Sequence, residues 1–177
     1  MGMITGTNTT AKRAYLAISA VAIMAVAVIA SITMIDRAQA SAQLPFKGEA
    51  SGVFTGPDSG AGVVEATHIG EGTVVFTNLV VDQSVPPTFV DGAACFPTTG
   101  GDQTFTAANG DELTMEYVSG PFCVDPSTGA PVKGLFVTEV TGGTGRFDDA
   151  EGQIIIDAVG TETGWASSFT NDSWIKY

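Results

Sequence analysis

The chain has 177 residues, of which 44% are hydrophobic, and a formal net charge of −12. With only seven Lys and Arg residues it has no basic patch for a phosphate backbone, so nucleic-acid binding is excluded. His68 is the single histidine, which excludes a multi-histidine metal site. We expect no metal and no cofactor.

Residues 1–40 have the order of an export leader. Lys12 and Arg13 precede an uncharged run over 14–35, and Ala38-Gln39-Ala40 has the small-x-small pattern of a peptidase site. Because about 20 apolar residues span a bilayer, the alternative is an uncleaved anchor, and a membrane is a partner only in that case. Both interpretations place residues 41–177 outside the cytoplasm, as a secreted, periplasmic or cell-surface protein.

Residues 41–177 have the length of one domain and are strongly acidic. They retain four basic and 18 acidic residues, which gives a net charge of −14. This charge favours solubility, and it would also suit a salty medium, cationic partners or weak calcium binding.

Both cysteines, Cys95 and Cys123, lie in the exported part. An even pair in an oxidising compartment predicts one disulfide. A metal site would need further ligands and a nucleophilic thiol would need a base, and the sequence places neither beside the cysteines.

Short β-branched and aromatic runs separated by Gly, Asn, Asp and Pro predict an all-β sandwich or barrel, and an eight-stranded closed sheet would also remove exposed sheet edges. Between the strands, residues 82–101 and 120–133 are predicted as long Pro-containing loops that the disulfide would join. The predicted strands are Phe46–Thr55, Gly62–Ile69, Thr73–Val81, Gln103–Ala107, Leu113–Val118, Leu135–Thr141, Gln153–Val159 and Ala166–Lys176.

One hairpin can be predicted in register. A two-residue Asn109-Gly110 turn would mix polar and apolar side chains on one face, whereas a three-residue loop ending at a left-handed Gly110 pairs Phe105 with Leu113 and separates the faces. We therefore predict the three-residue loop. Several other strands, such as Ile154-Ile155-Ile156, are apolar on both faces, which predicts a cover over the barrel exterior, for example a second subunit.

A glycine-rich segment carries a resemblance to a known family. Gly-Gly-Thr-Gly-Arg-Phe over 142–147, followed by Gly152, resembles the turn of the allene oxide cyclase and dirigent-like barrel proteins, and residues 66–70 and 104–111 are similar to bacterial exported members. The resemblance implies an eight-stranded antiparallel barrel of the calycin-like or allene oxide cyclase-like kind, with trimers as in plant members. It also implies either cyclisation of a fatty-acid epoxide or guidance of phenolic radical coupling. The structural turn residues are Gly142, Gly143, Gly145, Arg146, Phe147 and Gly152. No catalytic pattern of the plant members matches this chain residue by residue.

Four polar residues are candidates for the barrel lumen. Glu139 and Asp157 each lie on the same strand face as apolar neighbours. A carboxylate in the barrel lumen would have a raised pKa and could act as an acid or a base. His68 has the parity of Val64 and Ala66 and could transfer a proton, and Asn78 could bind a lumenal water. The alternatives are outward-facing or ion-paired carboxylates, a packed histidine and an asparagine at a β-bulge.

The charged residues around the glycine-rich turn have structural and functional interpretations. Arg146 is expected in a salt bridge near the turn, with ligand binding as the alternative. Asp148, Asp149 and Glu151 could hold calcium weakly, although their spacing matches no calcium loop and solvated charge is favoured.

The sequence predicts an exported barrel that binds an apolar small molecule or a partner surface without catalysis. The alternative is a cofactor-independent cyclase or isomerase with an apolar lumen. A third hypothesis is an oligomeric surface component.

Overall fold

A computed structural model describes residues 42–177, and the predicted leader lies outside these described residues. The described part is all-β, with no α-helix and one 3₁₀ turn at Gly145–Phe147; it contains no helix long and apolar enough to cross a membrane. Its strands are β1 (Leu44–Pro45), β2 (Gly48–Gly56), β3 (Ser59–Ala66), β4 (Gly70–Val81), β5 (Thr88–Val90), β6 (Ala93–Ala107), β7 (Glu112–Ser119), β8 (Pro121–Val124), β9 (Pro131–Gly143), β10 (Glu151–Gly160), β11 (Trp165–Phe169) and β12 (Trp174–Lys176).

Eight strands form a closed antiparallel barrel, as the sequence predicts. Their order around the barrel is β2-β3-β4-β6-β7-β9-β10-β11, and β11 pairs with β2 to close the ring, with Trp165 opposite Gly52. Closure gives every long strand two hydrogen-bonded neighbours, so no long edge is exposed.

The four short strands extend the two ends of the barrel. At one end β1 pairs with β12, and β12 pairs with the start of β10. At the other end β5 pairs with the first residues of β6, and β8 pairs with both β6 and β9. We call the first end the closed end and the second the open end.

The closed end is filled by the hydrophobic core. Phe46, Phe105 and Phe169 pack together with ring centroids 5.2 to 6.0 Å apart. Phe147, from the 3₁₀ turn, is fully buried and packs against Tyr177 near the chain terminus. Inward side chains with at most 2% exposure complete this layer: Val64, Val74, Leu113, Met115, Ile154 and Ile175.

The predicted hairpin is confirmed. Phe105 is opposite Leu113, and Ala107 donates its backbone N–H to the carbonyl of Asp111 across the loop of residues 108–110. Gly110 has a φ of 88°, which glycine adopts without the steric cost of a Cβ.

One strand prediction and two loop predictions are wrong. The predicted strand Ala166–Lys176 is two strands, because the chain turns at Asn171 and Asp172. The predicted loops at 82–101 and 120–133 contain β5, the part of β6 from residue 93 to residue 101 and all of β8. Their Pro and Gly residues indicate loops locally, but long-range pairing between β6 and β8 provides hydrogen-bond partners that no local pattern shows.

The Cys95–Cys123 disulfide is confirmed, and it joins residues that lie opposite each other on β6 and β8. Both cysteines are buried in a small cluster with Ala93. The next pair along the two strands, Phe96 and Phe122, projects to the other face, because side chains alternate along a strand. The disulfide therefore fixes the two strands that carry this phenylalanine pair.

Candidate functional site

A cavity opens into the barrel at the open end. Its inner part has a volume of about 50 Å³, room for one end of a small molecule. It continues into a vestibule of about 610 Å³, which is within the range of roughly 300–1,000 Å³ typical of small-molecule pockets. The two parts share five wall residues: Phe54, Phe76, Leu79, Phe122 and Pro131.

Two groups of aromatic rings line the inner cavity. The first, which we call wall one, consists of Phe54, Phe76 and Trp165, with edge contacts at 6.3 and 5.9 Å between ring centroids. The second, wall two, consists of Tyr117, Phe136 and Phe122, with centroid distances of 5.3 and 6.3 Å. The lining of the inner cavity therefore contains six aromatic rings.

Two buried polar atoms in this lining lack a hydrogen-bond partner. The Gln103 side chain is 4% exposed and that of Trp165 is 8% exposed, yet neither Oε1 of Gln103 nor Nε1 of Trp165 has a partner within residues 42–177. Leaving a buried donor or acceptor unpaired costs about 1–3 kcal/mol. One unpaired acceptor and one unpaired donor thus belong to residues that line the cavity.

Tyr117 adds a third polar group to the pocket. Its residue is 5% exposed, and burial raises the pKa of its phenol far above the ordinary value. The phenol therefore stays neutral and can donate or accept a hydrogen bond but not carry charge.

Short turns and an ion pair fix the rim of the open end. Asp82 and Asp125 each accept hydrogen bonds from the backbone and hydroxyl of the serine two residues later, and these bonds lower the pKa of both carboxyls. Lys133, which lines the cavity, binds Asp91 at 3.0 Å. The cation at the rim is thus already paired with a carboxylate.

Comparison of the chain with protein-family models, curated proteins and solved structures finds no match. The resemblance to the allene oxide cyclase and dirigent-like proteins stays a prediction.

The lumenal placement of Glu139 and Asp157 is wrong. Both side chains are exposed on the outside of the barrel. On β9 the inward set is Gly134, Phe136, Thr138 and Val140, so Glu139 shares the outer face with Leu135 and Val137. Glu139 does share a strand face with Leu135 and Val137, as predicted, but this apolar face is the outer face of the barrel.

His68 and Asn78 also lie outside the cavity lining. In the structure, strand β3 ends at Ala66, before the predicted end at Ile69. His68 therefore lies in a turn at the closed end with a φ of 70°, and its ring contacts the Tyr177 hydroxyl and the Pro45 carbonyl. Asn78 is exposed in a β-bulge and donates to Asp102. His68 is therefore a packed histidine and Asn78 an asparagine at a β-bulge, which are the structural alternatives that the sequence left open.

The glycine-rich turn forms part of the closed end. Gly142 and Gly145 have φ of 121° and 60°, which residues with a side chain rarely adopt. A side chain at Gly143 would overlap the backbone of Glu112, and Gly152 lies between Val140 and Ile175 in the sheet. The turn thereby directs Phe147 into the core.

Arg146 forms the predicted salt bridge, with its Nε 3.5 Å from Oδ2 of Asp111. Its guanidinium also lies 4.8 Å from the centroid of the Phe147 ring. Asp148, Asp149 and Glu151 do not form a metal site, since no group of three potential ligands occurs within residues 42–177.

Sequence reasoning missed the residues of the cavity, although two of them had a signal. Gln103 lies on the same strand face as Phe105 and Ala107. Tyr117 lies on the same face as Leu113 and Met115, so both residues were on faces already predicted to be apolar. Trp165 had no signal, because it precedes the predicted start of its strand.

Proposed function

We propose that this protein is an exported binding protein whose open end holds an apolar small molecule without chemical change. The observation that carries the proposal is the aromatic cavity in which Gln103 Oε1 and Trp165 Nε1 are buried without partners. A mostly apolar pocket with a few converging polar atoms is the usual form of a small-molecule site.

The polar atoms describe the buried end of the ligand. Gln103 Oε1 needs a donor, Trp165 Nε1 needs an acceptor, and the neutral phenol of Tyr117 can serve as either. The Lys133 ammonium is paired with Asp91. An uncharged group with both a donor and an acceptor, attached to an apolar body, fits these partners.

Binding is favoured over the cyclase or isomerase alternative by the composition of the lining. Neither the inner cavity nor the vestibule contains Asp, Glu or His in its lining. The two lining side chains that could still transfer a proton are poorly suited to it, because burial keeps the Tyr117 phenol neutral and the Lys133 ammonium is paired with Asp91.

Export is supported by the disulfide between Cys95 and Cys123, because such bonds persist in oxidising compartments. The barrel is also the fold that the resemblance to the allene oxide cyclase and dirigent-like proteins implies, so membership in that group is part of the proposal.

The test uses N-phenyl-naphthylamine, a neutral dye that fluoresces when it enters an apolar site. We expect saturable binding to the wild-type protein and its loss in Ala158→Phe, since Ala158 lines the inner cavity. The matched control is Ala166→Phe on β11, which is opposite Val159 and lies outside that lining; it should bind like the wild type.

Intrinsic fluorescence gives an independent readout that needs no dye signal. Binding of the dye should quench the tryptophan fluorescence of the wild type and of Trp174→Phe, but not that of Trp165→Phe, because only Trp165 of the two tryptophans lines the cavity. Absence of saturable binding to the wild type, or unchanged binding in a folded Ala158→Phe variant, would refute the proposed function.

A further inference from the structure

The inner cavity lies between the two aromatic walls, and we call the space between them the slot. Wall one is carried by β2, β4 and β11, and wall two by β7, β8 and β9, so the two walls lie on opposite sides of the closed ring. Every aromatic contact among their rings joins members of the same wall within the described residues. The space between the walls is the cavity itself.

Two further strands of the ring, β6 and β10, form the narrow sides of the slot. Gln103 lies on β6, between the strands of the two walls, and Ile156 and Ala158 lie on β10 at the opposite side. Gln103, whose Oε1 has no partner within the described residues, therefore lies at one edge of the slot.

Glycines beneath two of the rings keep the walls apart. A Cβ built at Gly134 would overlap Cζ and Cε2 of Phe136, two residues along the same strand. A Cβ at Gly60 would likewise overlap Cε1 and Cζ of Phe76, the residue opposite it on β4. Both rings thus lie back against the barrel wall over backbone that carries no side chain, and any side chain there would push them toward the axis.

From this arrangement we infer that the site selects ligands by thickness: it admits a flat, uncharged ring system and rejects a globular one, and Gly134 and Gly60 determine the width that makes this selection. The inference rests on the proposed function, and it adds a shape class and two specificity-determining positions to it. Flat ligands gain contact with both walls at once, whereas a globular head would have to displace Phe76 or Phe136.

Two amides with the same head group and ten hydrocarbon carbons test the inference by calorimetry on the full barrel: naphthalene carboxamide, which is flat, and adamantane carboxamide, which is globular. Each supplies one carbonyl acceptor and N–H donors for Trp165 and Gln103. We expect the flat amide to bind the wild type at least about tenfold more tightly, the scale of one misfitted group in a packed pocket.

Variants connect the selection to the glycines. Gly134→Ala should weaken binding of the flat amide about tenfold, because the new methyl group pushes the Phe136 ring into the slot. Gly100→Ala is the matched control, since a Cβ there makes only an ordinary contact with Val80 at 3.8 Å, and binding should be unchanged. Phe136→Leu removes the ring and should improve binding of the globular amide, which keeps the test decisive if Gly134→Ala does not fold.

The outcomes separate the two proposals. Equal affinity of the wild type for both amides, or wild-type selectivity in a folded Gly134→Ala variant, overturns the slot while leaving the binding function standing. If neither amide nor the dye binds the wild type, the binding function fails and the slot fails with it.

Discussion

The two ends of this barrel use the same kind of side chain in opposite ways. At the closed end, Phe46, Phe105 and Phe169 point toward the axis and touch one another. At the open end, Phe76 and Phe136 lie over glycines on the wall and leave a cavity between two groups of rings. For Phe76 and Phe136, a glycine beneath the ring allows the ring to lie against the wall and to line the cavity.

The difference also divides the stabilising interactions. The closed end is held by close packing, whereas the open end exposes its rings to a cavity and is joined covalently through Cys95 and Cys123. Stability should accordingly depend on core volume at one end and on the cross-link at the other, and the following substitutions test that division.

The largest effect is expected for Phe105→Ala. Phe105 is fully buried among other rings, so its truncation should lower the free energy of unfolding by about 4 kcal/mol, the sum of lost transfer energy and a closed void. Phe76→Ala should cost only about 2 kcal/mol, because the removed ring borders space that is already open. Urea denaturation of both variants measures the two values, and equal losses would contradict the comparison.

Removal of the disulfide should have the next largest effect. The bond joins residues 28 apart in sequence, and the chain-entropy model gives roughly 3 kcal/mol for a loop of that size. The double variant Cys95→Ala with Cys123→Ala should lose this stability in denaturant. It should also bind the dye more weakly, because Phe96 and Phe122 in the vestibule are no longer fixed. Unchanged dye binding would show that the cross-link does not shape the open end.

Tyr117 predicts an effect that appears only at high pH. Burial raises the pKa of its phenol in the folded state above the ordinary value of 10.0, so the unfolded chain releases this proton first. Stability is therefore unaffected below about pH 10 and falls as pH rises beyond it, by up to about 1.4 kcal/mol per pH unit. Unfolding measured at several pH values should show this loss in the wild type and its absence in Tyr117→Phe; parallel curves would contradict it.

The smallest effect is expected at the surface of the closed end. Arg146→Met removes a half-exposed ion pair with Asp111 and the contact over Phe147, which together are worth about 1 kcal/mol or less. Thermal unfolding should shift slightly and dye binding should not change. A loss of several kcal/mol would mean that the ion pair, more than the burial of Phe147, seals this end.

Alternation of side chains was enough to predict the barrel and the Phe105–Leu113 register, because each inward face is buried by many neighbours. It was not enough for β5 and β8, whose pairing with β6 joins segments rich in proline that are distant in sequence. A local pattern carries no information about such partners.

The candidate site was harder to predict because both faces of several strands are apolar. Leu135 and Val137 on the outside of β9 made Glu139 appear lumenal, while the inward ring of Phe136 was the better indicator. The cover that these outer faces predict stays a prediction. The roles of Gly60 and Gly134 could not be read at all, since they depend on which ring lies across each glycine in three dimensions.

The pairing of Leu44 with Ile175 brings both ends of the barrel chain to the same side of the molecule. Attachment of the barrel to a support through residue 42 or through the C-terminus would therefore leave the mouth of the cavity pointing away from that support. The same adjacency would let a short linker join the termini, so that new ends could be cut at an exposed hairpin without interrupting the ring of strands.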